Sequence, residues 1–571
     1  MRFGSLVSRE FHPLLLGCRD RSPRGEAQEY PPMPSPPLPS PPFDPFAFDR
    51  RTVLRGALGA GLIGIVPASA GAAAPDSFST DPFTLGVASG DPAPDGFVLW
   101  TRLAPEPLKP RGGMSAQPVE VTVEIGDDPA MTRILRSERT TAYLELAHSV
   151  NLEIEGLAPG RDYFYRFRAG GVDSPIGRAR TLPAPDATPQ QLRFASAGCQ
   201  RWEGGYYSAW RAIAEDQLDF VFHYGDYIYE YGFAATDKNV SPWPRTMPKD
   251  FASCYTLTDY RRRYALYKSD PDLKAAHASC PFLISFDDHE IVNNWASDSD
   301  PKQTPPEAFL FRRAMALQAW YEHMPVRRAQ RPRGPDVLAY RGFHFGTLAD
   351  VVVLDTRQHR SRQPCGDGFL AGCAEADAAD RTMLGTAQEQ WLAARLKQSD
   401  ATWRVLAQQV LFAPFDWRGF PKIEDKGEPV FDVDTWNGAT AARDRVIAML
   451  DEAKASNAVV LSGDLHRALA LELHRDARNP NSPCVGVEFL STSISSVGGA
   501  PPDDAAMATM HRNNPQLKFF SDQRGYTRHT VTPQQWLADF CAIDSIAVPG
   551  HPAQTIRSLV VEAGRPGLIT R

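Results

Sequence analysis

Five apolar runs in this chain end in side chains that can bind or move charge. "QLRFASAGC" ends at Cys199, followed by Gln200, and "LDFVFHYGD" ends at Asp226, with Tyr229 three residues on. "CPFLISFDDHE" carries Asp287, Asp288 and His289 and leads to Asn293 and Asn294. "ADVVVLDTR" ends at Asp355 and Arg357, and "NAVVLSGDLH" ends at Asp464 and His466. A single Asp at such a tip is an ordinary helix N-cap. Five polar tips together describe one crevice, because ligands of α/β sheets bind outside the carboxyl ends of the strands. Thiol, carboxylate, phenol, imidazole and amide in one place suit a metal centre better than an acid–base pair. Asp226 has two oxygens and can bridge two ions, and ions about 3.5–4 Å apart polarise a phosphoryl group and acidify a shared water. A free phenol titrates near pH ~10, so Tyr229 as a ligand calls for a strongly Lewis-acidic ion such as Fe(III), and a Cys199 thiolate suits the same position. Asp288 and Asn294 offer hard oxygens of the kind Ca²⁺ or Mg²⁺ takes.

The elements that must position these residues follow from the hydrophobic rhythm. From residue 191 onward, apolar runs, including "TWRVLAQQV", alternate with amphipathic helical patterns such as "GTAQEQWLAARLKQS", in which Thr386 and Glu389 read as a capping box. Alternating strands and helices mean an α/β domain, with part of the sheet antiparallel or split into two layers. No GxGxxG fingerprint and no Walker A motif is present. Residues 79–183 read differently. "GFVLWTRL", "VEVTVEIGD", "HSVNLEIEG" and "RDYFYRFRAG" alternate apolar and polar residues between turns, as strands do. "LEIEGLAPGRDYFYRF" resembles the tyrosine-corner segment of fibronectin type III and immunoglobulin-like sandwiches, which makes Tyr163 and Tyr165 core residues. The expected fold is therefore multidomain: an immunoglobulin-like β-sandwich at 79–183, the linker "TLPAPDATPQQ", and an α/β domain at 191–560 with a mixed, two-layered β core flanked by helices.

Residues 1–74 do not read as fold. A proline-rich run, "YPPMPSPPLPSPPFDPF", precedes "DRRTVLRGALGAGLIGIVPASAGAAAP", with paired Arg50 and Arg51, an apolar stretch from Ala57 to Val66 and small residues before Pro75. That is the layout of a twin-arginine secretion signal, which implies the twin-arginine translocase as a partner and a periplasmic or secreted destination. The stretch is too short for a membrane span, which needs roughly 20 apolar residues, so no stable anchor is expected. The signal lies far from residue 1, so the start site is open between residue 1 and a point near residue 47. Twin-arginine export carries folded proteins, often with a cofactor already inserted, which fits a metal site.

The net charge is −7 at neutral pH, which argues against passive nucleic-acid binding. Seven of the eight cysteines lie beyond the leader, an odd number in a compartment that permits disulfides. Cys365 and Cys373 flank a glycine-rich loop and form the first-choice pair; Cys254 with Cys280 and Cys484 with Cys541 are further expected pairs, leaving Cys199 free.

Gly225-Asp226-x-x-Tyr229, then "DDHE", then Gly463-Asp464-x-His466 resembles the calcineurin-like metallophosphoesterase pattern. More closely, "FASAGCQ", "HYGDYIYEYG", "FLISFDDHEIVNNWASD", "VVVLDTRQHRS" and "VVLSGDLH" resemble the PhoD-like alkaline phosphatases over roughly residues 80–560. The resemblance implies a secreted enzyme with iron and calcium, or other divalent ions, that hydrolyses phosphate esters through attack of a metal-activated hydroxide on phosphorus. It implies Cys199, Asp226, Tyr229 and His466 as ligands of the iron position, with Asp226 bridging. It implies Asp288, Asp464 and Asn294 as calcium ligands and His289 as the residue that protonates the leaving group or touches the phosphate. Asp287 is a candidate supporting partner. Arg357 is read either as a holder of a phosphate oxygen or as a structural salt bridge. Gln408 and Gln409 stand where related two-metal phosphatases often carry a histidine.

The expected substrate is a phosphate mono- or diester, acted on by a monomer. A phosphodiesterase or phospholipase D-like activity, and a non-catalytic metal-containing binding protein, are the alternatives. Tyr227, Tyr231, His223, His344, His474, Trp295 and Tyr321 are expected to pack rather than react.

Overall fold

The computed structural model describes residues 78–233, 244–423, 426–453, 455 and 457–570. The leader and its paired arginines lie outside the described residues. Among the described residues, no helix is long and apolar enough to cross a membrane.

The apolar runs that end in chemistry are short strands buried on both faces. Leu192–Ala197, Phe220–His223 and Phe282–Ile284 pair in parallel, register running from Phe194 to Phe220 and from Val221 to Phe282. Such strands read as continuous hydrophobic runs because neither face meets water. A second parallel set is Ala349–Val353, Trp403–Ala407, Ala458–Ser462 and Cys484–Leu490. Each set is the centre of a larger mixed sheet. The first extends to ten strands: Arg524–Val531, Gln535–Ile543, Ala553–Glu562 and Arg565–Thr570 on one side, and Val87–Ala93, Gly96–Arg102 and Ser149–Ile154 on the other. The second has seven, adding Arg341–Phe345, Ala468–His474 and Leu517–Ser521.

The two sheets pack face to face. Phe194, Phe222 and Leu283 of the first meet Val351, Val405, Val459 and Phe489 of the second in one core. Alternate residues of the first sheet, Ala195, Val221 and Ile284, turn the other way, onto the helices Ser208–Glu215, Leu257–Lys268, Pro271–Ser279 and Pro306–His323. The outer face of the second sheet meets Gly385–Gln398, Thr440–Glu452 and Asp504–Asn513. Period-two alternation thus feeds an inner core and two outer cores.

The strands of 87–180 do not stand apart. Val87–Ala93 continues the ten-stranded sheet through parallel pairing of Gly90 with Phe282, while Ile134–Ala142, Val119–Gly126, Asp162–Ala169, Val172–Asp173 and Gly177–Arg180 form a five-stranded sheet. Side chains of both, among them Leu99, Val123, Ile154 and Tyr165, share a core. The Tyr163 hydroxyl turns back on the Ala158 backbone, accepting its N–H at 3.0 Å and lying 3.3 Å from its carbonyl oxygen.

Two local expectations fail. Cys365 and Cys373 form a disulfide, but Cys254, Cys280, Cys484 and Cys541 are free. Cys484 starts a strand of the seven-stranded sheet while Cys541 lies in the ten-stranded one, so that pair is separated by architecture. Cys280 closes the helix Pro271–Ser279 and sets its thiol against Ser279 Oγ rather than Cys254. The helix Gly385–Gln398 also starts one residue before Thr386, which therefore does not cap it. The N-cap position is Leu384, which offers no side-chain acceptor, and Thr382 takes the first helical N–H: its Oγ1 accepts from Gly385 N at 2.8 Å and donates to Glu389 Oε1 at 3.0 Å. In contrast, His223, Trp295 and Tyr321 are buried packing residues, as their patterns imply.

Candidate metal centre

The tips of the parallel strands converge because the backbone after them bends unusually. Cys199, Asp226, Asn294, Asp464 and His466 all have positive φ, between 50° and 68°. Non-glycine residues rarely adopt this region, and each costs of order 1–3 kcal/mol unless the surroundings impose it. Here the bends aim the side chains at one another. Gly225 makes the closest approach possible: at φ +134°, a Cβ on it would lie 2.5 Å from Asp287 N.

Three overlapping groups of donor atoms result. Within each group the ligand atoms lie no more than 4.8 Å apart: Cys199, Asp226 and His466; Asp226, Asp288 and His289; Asp287, Asp288 and Asp464. Asp226 belongs to the first two and Asp288 to the last two. Asp287 Oδ2 and Asp288 Oδ1 are buried and lack a hydrogen-bond partner. A buried carboxylate oxygen left unpaired is costly, and a cation is the partner that would satisfy it. The donor set therefore fits metal ions.

Tyr229 joins the first group. Its hydroxyl lies 2.7 Å from Asp226 Oδ2, 3.1 Å from His466 Nε2 and 2.6 Å from Ser496 Oγ. His466 Nδ1 lies 3.0 Å from the Val497 carbonyl, to which it donates. That fixes the tautomer and leaves the Nε2 lone pair facing Tyr229 and Asp226. Burial and the nearby Arg524 guanidinium push His466 down to about 3, so its imidazole is neutral, as a ligand must be.

The electrostatics of the cluster tell the same story. Burial, then neighbouring carboxylates, push Asp226 and Asp464 well above the usual carboxylate range, with His289 and Arg357 opposing. Burial raises Cys199 and Tyr229 in the same way, reinforced by Asp226. A cation among them reverses these causes. His289 goes the other way: burial would lower it, but Asp288, Asp226 and Glu230 together hold it well above its ordinary value. Its Nδ1 is 2.7 Å from Glu230 Oε2.

Asn294 reaches the cluster through its backbone, donating to Asp288 Oδ2 at 2.7 Å. Its side-chain amide nitrogen is held by Asp367, at 2.8 and 3.0 Å, inside the disulfide loop. This leaves the amide oxygen as the free end. Arg357 is fully buried, and its salt-bridge reading is the one the distances describe. Nε bonds Asp287 Oδ1 at 2.5 Å, and Nη1 bonds both oxygens of Asp434, at 3.0 and 2.9 Å. Arg357 opposes the upward push of burial on Asp287, which settles at about 6. Gln408 and Gln409 turn away from the centre. Gln409 bonds Ser285, Leu354 and Thr356, and Gln408 bonds Val410 and Trp436.

Four carboxylates around the site escaped the sequence reading. Glu230 holds His289 and the Asn293 N–H. Glu290 accepts from Asp226, Tyr227 and Asp287 N–H groups and so ties two strand tips together. Asp434 pairs with Arg357 and Arg360, and Asp367 with Asn294. Glu230 and Glu290 directly follow Tyr229 and His289, which is the only signal they give.

Residues 194–540 match the family model of the PhoD-like phosphatases, and residues 68–183 match the model of the PhoD-like phosphatase N-terminal domain. The chain is similar to alkaline phosphatase D of Bacillus subtilis (strain 168), 44% identical over 528 residues, covering 91% of this chain and 89% of that one. It is also similar to a solved structure of PhoD, with a TM-score of 0.82 at 45% identity, over 86% of this chain and 92% of that one. With more than half its length matched by one family model, and its strand tips gathered into one set of candidate metal ligands, the chain belongs to the PhoD-like phosphatases and is a hydrolase of phosphoric esters.

Proposed function

We propose that this phosphatase works through a multi-metal centre built on Asp226. Cys199, Asp226, Tyr229 and His466 would hold Fe(III), and Asp226, Asp288, Asn294 and Asp464 would hold Ca²⁺. The observation that carries this reading is the overlap of donor groups, with Asp226 common to two and Asp288 common to two. Ions held there supply Lewis acidity toward a phosphoryl oxygen and lower the pKa of water.

The chain's own residues do the rest. Glu230 fixes the ring of His289 through Nδ1, which leaves Nε2 to give a proton to the departing ester oxygen. The Glu230 carboxylate, which holds no metal in this reading, favours the protonated form of that imidazole. Arg357 and Asp434 hold Asp287 in place beside the donor set without touching the substrate, since Arg357 is wholly buried. Glu290 locks the backbones of Asp226 and Asp287, so the ligand spacing survives substrate exchange.

The substrate class is a phosphate mono- or diester, reached by a twin-arginine-exported monomer in the periplasm or outside the cell; the Arg50–Arg51 leader supports the route. Residues 79–183 are read as an immunoglobulin-like domain, supported by the Tyr163–Ala158 contact, and residues 191–560 as the metallophosphoesterase domain. The test is hydrolysis of an aryl phosphate by the Asp226→Asn variant. Retained full turnover would remove the bridging role.

A further inference from the structure

A cavity of about 660 Å³ opens away from the metal centre, and none of the candidate ligands lines it. Its volume is in the range of small-molecule sites, roughly 300–1,000 Å³. Its walls are largely apolar, from Phe412, Pro414, Phe415, Phe431, Val433 and Ile447. Arg443, from the helix Thr440–Glu452, also lines it and is only 2% exposed.

Arg443 is an unusual residue to bury there. Its Nη1 donates to Asn437 Oδ1 at 2.8 Å, and its Nε has no hydrogen-bond partner. The nearest carboxylate is Asp444, 3.9 Å from Nε and itself half exposed. The other arginines on the lining are matched: Arg478 pairs with Asp377 and Arg418 with Asp416. The buried Glu488 carboxylate lies within electrostatic reach of Arg443 but forms no ion pair or hydrogen bond with it, so the guanidinium bears a desolvation cost that no direct buried partner offsets. An arriving carboxylate or phosphate can take two of its N–H groups at once and offset that cost.

We infer that this cavity is a second binding site, distinct from the metal centre, for an amphiphile with one anionic head group on Arg443 and an apolar tail along the phenylalanine walls. A tailless anion would leave the walls uncovered, and a neutral apolar molecule would leave Arg443 unpaired. A thin ribbon, Phe369–Ala371 paired with Val430–Asp432, separates the site from the metal centre. Along its second strand and beyond, Phe431 and Val433 line the cavity, while Asp432 and Asp434 face Arg360 and Arg357.

Calorimetric titration of the intact enzyme with dodecanoate, below its micelle threshold and with saturating inorganic phosphate occupying the metal centre, tests this. The expected result is saturable binding of one dodecanoate per chain, at least tenfold weaker binding of dodecanol and of acetate, and at least a tenfold loss in both Arg443→Met and Phe431→Asp. Both variants should keep their fold by circular dichroism and their aryl phosphate turnover. No saturable binding, equal binding of dodecanol, or wild-type affinity in both variants would overturn the site.

Discussion

His289 Nδ1 and Glu230 Oε2 lie 2.7 Å apart in a buried pocket beside Asp226. The contact fixes which imidazole nitrogen is free and where it points. Partners of this kind are typically worth about 10–100-fold in activity. Glu230→Gln should therefore lower kcat on an aryl phosphate by roughly that factor, with KM little changed. Steady-state kinetics checks it, and an unchanged kcat would mean that Glu230 does not position His289.

Arg357 separates two readings that the sequence left level. Its guanidinium spans Asp287 and Asp434, so a lysine cannot replace both contacts. Removing one partner of a buried ion pair costs about 3–5 kcal/mol. Arg357→Lys should lose much of that in denaturant unfolding, while KM moves little. Unchanged stability with a raised KM would instead make it a phosphate-binding residue.

Asp432 should give the enzyme a stability slope in mild acid. Burial, then Asp434, push its pKa from 3.8 to about 7 in the folded chain. The native state thus binds this proton more tightly than the unfolded chain does. The neutral form is favoured in the fold, and stability falls as pH rises from about 4 to about 7. Asp432→Asn removes that slope, so the variant should match the wild type near pH 4 and melt several degrees higher at pH 8. Thermal melts across pH check it; parallel curves would refute it.

Tyr229 gives a spectroscopic prediction. If it binds Fe(III) as phenolate, purified enzyme should be coloured, and Tyr229→Phe should lose the visible charge-transfer band while retaining its fold by circular dichroism. A colourless wild-type enzyme holding only zinc or calcium would remove the iron assignment.

What the sequence could reveal follows from where the information sits. The convergence of Cys199, Asp226, Asp288, Asp464 and His466 on one place was legible because a buried parallel strand is a continuous apolar run, and its carboxyl end is a predictable position. The Cys365–Cys373 bridge was legible because it closes a short glycine-rich loop. Asp434 was not, because its partner Arg357 lies 77 residues away and only the folded ribbon brings them together. The other cysteine pairs failed for the same reason: shared compartment says nothing about which sheet a residue enters. Thr386 misled because the helix starts a residue early on Gly385, which has positive φ, so that the N-cap position falls on Leu384 and the Gly385 N–H is taken by Thr382. The β-strands of 79–183 were readable one by one, but not their merger with the ten-stranded sheet, since Gly90 pairs with Phe282 far along the sequence.

The central claim is that Asp226 is shared between metal positions, and one paired measurement addresses it directly. Metal content and aryl phosphate turnover should be determined on the same preparations of wild-type and Asp226→Asn enzyme. Wild-type enzyme should carry more than one metal ion per chain, and the variant should lose metal with a fall in turnover of at least about a hundredfold in step with that loss. A variant with full metal content and full turnover would contradict it.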